Sequence, residues 1–295
     1  MASFNNTTLA GDVEHEQISG VQSLAEIVAF CTMNILNGVF GTMMNISITI
    51  LMLTHPTMRT QSNTLYWSMS VADLLTCCCL EPLLTYRSFT DGQVKPFFHD
   101  LTSSVSVIAC LSSFCNLFFM SLDRYLRITR SLRYVTVVTS ERVIKCIIIS
   151  WILPCLMAVF IVVIRTAPSR MIPAIFGLSA MCVTLAMQLR ILFIARKHER
   201  QIAEEHQRYG PPATESNNWA RRNKAQKTVV ALLIIHLICW LPMLCTAPLI
   251  HNHTWRVFNW LNFLIAFNAA MNPCLFIMMT QTFRASLFKF IMQKN

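Results

Sequence analysis

Charged side chains are scarce in this sequence. Asp, Glu, Lys and Arg make up 13% of the 295 residues, where an ordinary soluble domain carries roughly 25%. Together with a hydrophobic content of 54%, that scarcity argues against a soluble fold and for a protein that lives in lipid. Cysteine is lacking where it would staple an extracellular fold. The 12 cysteines, at positions 31, 77, 78, 79, 110, 115, 146, 155, 182, 239, 245 and 274, all fall inside apolar runs, so no extracellular disulfide framework can be drawn. Each reads as a small buried hydrophobe. Cys77-Cys78-Cys79 does not read as a metal site, because three consecutive helical positions point in different directions. No cleavable leader is expected either. The first 23 residues are polar and slightly acidic, with Asp12, Glu14 and Glu16. They carry no basic flank, apolar core or cleavage site, so the first spanning helix is expected to serve as its own insertion signal.

What is present is a series of long apolar runs. Seven spans of about 20 residues or more, enough to cross a bilayer as helix, can be drawn. They are Leu24–Leu53, Asn63–Tyr86, Phe98–Arg127, Val143–Ile164, Met171–Arg196, Lys227–Ile250 and Trp255–Met279. Prolines 82, 154, 173, 242 and 273 lie within them; in a membrane bundle neighbouring helices re-satisfy the freed carbonyls. The expected fold is an all-α membrane protein, a seven-transmembrane helix bundle over residues 24–280, with an N-terminal tail at 1–23. After span seven, Phe283, Leu287, Phe288 and Ile291 recur at helical spacing with Arg284 and Lys289 between them. Residues 281–295 are therefore expected to form a short amphipathic helix and tail, the helix lying on the membrane. No cysteine follows, so no palmitoyl anchor is expected there.

Basic residues orient the bundle. The loops and helix ends on the side of Arg124 hold 19 of the 24 lysines and arginines, and the other side holds 5. The Arg124 side is thus expected to be cytoplasmic and the N-terminus outside. Sequons at Asn5, Asn6 and Asn252 then fall on the outer side and are glycosylation candidates. The largest hydrophilic insert, about 197–226, is cytoplasmic and contains the breaker Gly210-Pro211-Pro212. Its charged flanks are expected to extend spans five and six.

Within this frame, span three ends in Asp123-Arg124-Tyr125 after 22 uncharged residues, Leu101 to Leu122. Snorkelling to the headgroups explains the arginines that follow, but it explains less well an acid placed directly before Arg124. The other spans each carry one polar or aromatic feature: Gly41 to Asn45 in span one, Ser70 to Asp73 in span two, Ser113 in span three, Trp151 in span four, Cys239-Trp240-Leu241-Pro242 in span six, and Asn268 with Asn272-Pro273 in span seven. In that joint order the chain resembles the rhodopsin-like (class A) G protein-coupled receptors from Leu24 to about Phe288. The short loop near Arg165–Arg170 and the run Ala195 to His198 look closest to the melanocortin, adenosine and cannabinoid neighbourhood of that family.

The resemblance implies a set of roles. Asp123, Arg124 and Tyr125 would couple to a heterotrimeric G protein, with Arg222 facing Arg124 from span six where an acid is usual. Asn45, Asp73, Ser113, Trp240, Asn268, Asn272, Pro273 and Phe276 would form the activation network. Asp73 is read as the one acid deep in its membrane span. An unpaired carboxylate at mid-bilayer costs at least about 2.5 kcal/mol, so either Asp73 is neutral and bonds Asn45, or it holds Na⁺ together with Ser113. That ion is the one metal or cofactor expected. Several family positions differ. The outer disulfide cysteine of span three is His99, the tyrosine expected after Asn272-Pro273 is Phe276, the tyrosine of span five is Gln188, and the phenylalanine before Trp240 is His236.

The expected function is a cell-surface receptor that passes the binding of an extracellular ligand to a cytoplasmic G protein. No enzyme chemistry and no nucleic-acid partner are expected. An opsin is disfavoured because span seven has no lysine for a retinal Schiff base, Ala266 standing at that position. A transporter is disfavoured because no internal repeat is visible. The expected pocket wall is Glu81, Ser106, Cys110, Phe176, Trp240, Met243, Leu244, Phe258 and Asn262. Ser106 stands where amine receptors place an aspartate, so the expected ligand is small or lipid-like, or a short peptide held by Glu81.

Overall fold

A computed structural model describes residues 23–90, 93–130, 133–209, 230, 234–243, 245 and 255–279. Its long helices follow the predicted spans in order: α1 (Leu24–Thr54), α2 (Gln61–Phe89), α3 (Pro96–Thr129), α4 (Ser140–Ile164), α5 (Ala167–Tyr209), α6 (Ile234–Met243) and α7 (Trp255–Met279). No strand occurs among the described residues. The first five helices are each long and apolar enough to cross a bilayer. Arg222, Leu244, Asn5, Asn6, Asn252 and the amphipathic helix lie outside the described residues, and so do the side chains of Phe258 and the rest of span six.

Local chemistry sets the helix ends. Ser23, Thr60 and Thr139 cap α1, α2 and α4 by accepting the backbone N–H three residues on. Pro96 opens α3, where its missing N–H costs nothing. Pro82 acts differently. Its ring crowds the carbonyl four residues back, and α2 widens into a π-helical turn over Thr76–Leu80 just before it.

α1 shows how apolar helices choose a buried face. Phe30, Asn34, Asn37, Gly41, Asn45 and Ile48 recur every three or four residues and, with Gly38 beside Asn37, are all buried. Gly41 lets the chains close up: a Cβ there would sit 3.1 Å from the Cα of Ala270 on α7 and 2.5 Å from the Sγ of Cys77 on α2. The opposite face, including Ile35, Val39, Met43 and Ile46, is exposed, as expected of a lipid-facing side. α3 is central and packs against α2, α4 and α5, while α1 packs against α2 and α7. Trp151 of α4 donates its indole N–H to the Ser68 hydroxyl of α2 at 3.0 Å. α5 continues to Tyr209, well past the apolar segment Met171–Ile194, in line with the expected extension.

Candidate functional site: a buried carboxylate joining three helices

Asp73 sits at the middle of α2 and is 1% exposed. Ser113 of α3 donates to its Oδ1 at 3.2 Å, and Asn272 of α7 donates to its Oδ2 at 2.9 Å. One carboxylate therefore ties together helices 40 and 199 residues away in sequence. Asn45 takes no part in that link. Its amide donates to the carbonyls of Gly41 at 3.0 Å and of Ala269 at 3.2 Å, which fastens α1 to the backbone of α7. The Asp73–Asn45 bond considered from the sequence is not formed.

The rest of the network surrounds this centre. Asn268, one turn before Asn272, meets the imidazole of His236 on α6 at 3.2 Å. Phe114, next to Ser113, packs against Trp240 with ring centroids 4.3 Å apart and against His236 at 6.0 Å. Phe276 stacks on Tyr66 of α2 at 3.6 Å, and the Tyr66 hydroxyl donates to the Asn272 carbonyl at 2.8 Å. Pro273 follows within α7. The donor set suits a hard cation. Besides the carboxylate and the Ser113 hydroxyl, the amide oxygens of Asn45, Asn268 and Asn272 are buried and accept no hydrogen bond, and oxygen is what such an ion requires.

At the Arg124 end of the bundle the side chains pair locally. Asp123 does not pair with the adjacent Arg124. Instead it accepts from Ser62 at 2.6 Å and from the Tyr134 hydroxyl at 2.5 Å, and its ion pair is with Arg127, one turn on, at 3.6 Å. Arg127 also donates to Ser62 and to Tyr134. Adjacent helical residues point about 100° apart, whereas i and i+4 share a face, so Arg127 is the better placed of the two. Burial first, then the bond to Asp123, pushes the Tyr134 phenol above its usual value. No acid lies within ion-pair distance of Arg124 among the described residues.

Of the expected pocket residues, Cys110, Phe176, Trp240 and Met243 belong to one apolar cluster with Phe114 and Ile265. Ser106 is half-buried and Asn262 buried. Glu81 stands apart from this cluster. It lies 2% exposed against α1, with the Asn37 amide donating to it at 2.8 Å. Asp73 is thus not the only acid deep in its span. No sequence signal links Glu81 to Asn37, Ser62 to Asp123, or Gln188 to Ser121, where the amide donates to the hydroxyl at 2.8 Å. Each pair is made by helix packing across 44 to 67 residues.

Comparison with known proteins gives a coherent set of relatives. The pattern that defines the seven-transmembrane receptors of the rhodopsin family matches residues 44–172. Trace amine-associated receptor 4 of Mus musculus is 26% identical over 78% of this chain and 75% of its own. The histamine H2 receptor of Cavia porcellus is 25% identical over 78% of this chain and 70% of its own. The alpha-1A adrenergic receptor of Oryzias latipes is 21% identical over 83% of this chain and 63% of its own.

Proposed function

We propose that this chain, which belongs to the rhodopsin-like (class A) family of G protein-coupled receptors, is switched from outside by a small organic ligand seated above Trp240. It is a multi-pass plasma-membrane receptor and not an enzyme. The N-terminal tail faces outward, where Asn5, Asn6 and Asn252 are glycosylation candidates, and the insert at 197–226 faces the cytoplasm. The relatives' names speak of trace amines, histamine and adrenergic ligands, which supports a small-molecule ligand here.

One observation carries this reading: a buried carboxylate joined by hydrogen bonds to α3 and α7 and set next to the Phe114–Trp240 contact. A ligand pressing on the apolar cluster of Cys110, Phe176 and Met243 moves Trp240, and Trp240 shares Phe114 and His236 with the Asn268–Asn272 face of α7. The signal therefore has a packed path to the helix ends at Asp123, Arg124 and Tyr125, where the G protein docks. Na⁺ fits the same centre at rest, with Asp73 and Ser113 as the main ligands and Asn45, Asn268 and Asn272 offering oxygens. There it would supply the positive charge that a buried carboxylate otherwise lacks.

A screen of small molecules read by second-messenger output tests the proposal. The expected hit acts in receptor-expressing cells only and loses its response with Arg124→Ala at equal surface expression. A response that survives Arg124→Ala would rule out this route to the G protein.

A further inference from the structure

The outer half of the bundle holds a buried acid that the path through Trp240 does not use. Glu81 lies eight residues outward of Asp73 along α2, about 12 Å of helix. One carboxylate oxygen accepts from Asn37. By distance and angle the other, Oε2, accepts nothing, although the Cys77 thiol, a weak donor, lies beside the group. A Cβ at position 38 would come 2.7 Å from Oε2 and 3.3 Å from the Cys77 carbonyl, so the glycine found there lets α1 lie close against the acid. No Lys, Arg or His lies within ion-pair distance of Glu81 among the described residues.

Two amides nearby are also unpaired. Asn34 of α1 and Asn259 of α7 are completely buried. Among the described residues they are the two amide side chains whose nitrogen and oxygen both lack a partner. Asn34 shares a helix face with Phe30, four residues before it, and Asn259 with Phe263, four residues after it. The Phe30 ring meets Phe263 at 6.4 Å and Trp260 at 5.1 Å, and Leu80 and Leu84 of α2 pack on the same ring. The acid and both amides thus lie within about one turn of a single junction of α1, α2 and α7.

An interhelical clamp between Asn37 and Glu81 is the plain structural reading. It accounts for one oxygen of Glu81. It leaves the second oxygen with only the weak Cys77 thiol beside it, and all four polar atoms of Asn34 and Asn259 buried without partners, which native proteins rarely tolerate. We propose that this junction is the subsite for the cationic end of the extracellular ligand, an organic ammonium or guanidinium group that pairs with Glu81 and donates to the amide oxygens of Asn34 and Asn259. The inference rests on the receptor reading. A cation is the class that fits, because it supplies the charge Glu81 lacks and the donors that unpaired oxygens accept. An anion would be repelled, and a neutral group would leave the carboxylate without a counter-charge. The subsite lies on α2 rather than at Ser106 of α3.

The test melts the purified full-length receptor in detergent with benzylammonium, 2-phenylethylammonium and benzylguanidinium chlorides, each beside its neutral alcohol. At least one cation is expected to raise the melting temperature by several degrees while its alcohol does not. Glu81→Gln keeps the size, removes the charge, and should abolish the shift. Should Glu81→Gln not fold, Asn34→Leu and Asn259→Leu carry the test. Each should weaken the apparent affinity roughly tenfold, the scale of one lost charge-assisted bond. The subsite is overturned if no cation stabilises the wild type, or if the variants bind the cations as the wild type does. Ligand-free nucleotide exchange on a G protein, read in the same wild-type preparation, separates the two ideas. Exchange without a cation shift sinks the subsite alone; absence of both sinks the receptor reading as well.

Discussion

Each oxygen of Asp73 receives one donor, from Ser113 and from Asn272, and neither donor carries charge. An amide in place of the carboxylate keeps the volume but cannot hold a cation. NaCl is therefore expected to raise the melting temperature of the purified receptor above that in KCl or choline chloride at equal ionic strength, and Asp73→Asn should remove the difference. An Na⁺ effect that persists in Asp73→Asn would place the ion elsewhere. At the Arg124 end, Asp123 is already occupied by Ser62, Tyr134 and Arg127, which leaves Arg124 available to an acid from span six. Arg222→Glu would supply one. An exposed pair is worth about 0.2–1 kcal/mol, so ligand-free signalling should fall by up to a factor of several at equal surface expression. An unchanged or higher level would mean that Arg124 is not gated from span six.

Between elements, the decisive contacts are made by small residues and by one surface ion pair. Gly41 packs on the backbone of Ala270, and a methyl group there must push α1 and α7 apart. Overpacking of this kind typically costs about 1–3 kcal/mol. Gly41→Ala should thus lower the melting temperature measurably, while Gly177→Ala, where a Cβ would meet Phe114 at 3.4 Å, should cost less. At the opposite end no disulfide holds α3, since all twelve cysteines are free. Arg165, in a left-handed conformation just after α4 with φ 50°, reaches Asp100 of α3 at 2.6 Å. Thiol reductant at the cell surface should leave folding and ligand binding unchanged. Asp100→Arg should lose no more than about 1 kcal/mol, regained in the double variant with Arg165→Asp. The helices themselves were legible in the sequence, because each apolar run is long enough to cross lipid on its own account. The π-helical turn before Pro82 was not, since proline marks a disturbance without saying which form relieves it. Nor were the pairs Glu81–Asn37 and Asp123–Tyr134, whose partners meet only once the helices pack.

Across the whole molecule, charge distribution sets the expected direction of signalling. Nineteen of 24 basic residues lie on the Arg124 side, so that side should face the cytoplasm, and an epitope placed before Ser23 should be stained on intact cells. The buried carboxylate centre shows how far pattern reading reached. The identities of Asp73, Ser113 and Asn272 were readable from their order along the chain, while the donors to each oxygen required the packed helices. The measurement that bears most directly on receptor function is nucleotide exchange. Reconstituted with heterotrimeric G protein, the receptor should accelerate GDP release over the G protein alone, and Arg124→Ala should abolish the acceleration while its melting temperature stays unchanged. No acceleration by the wild type, or equal acceleration by Arg124→Ala, would contradict a signal that leaves the bundle through Arg124.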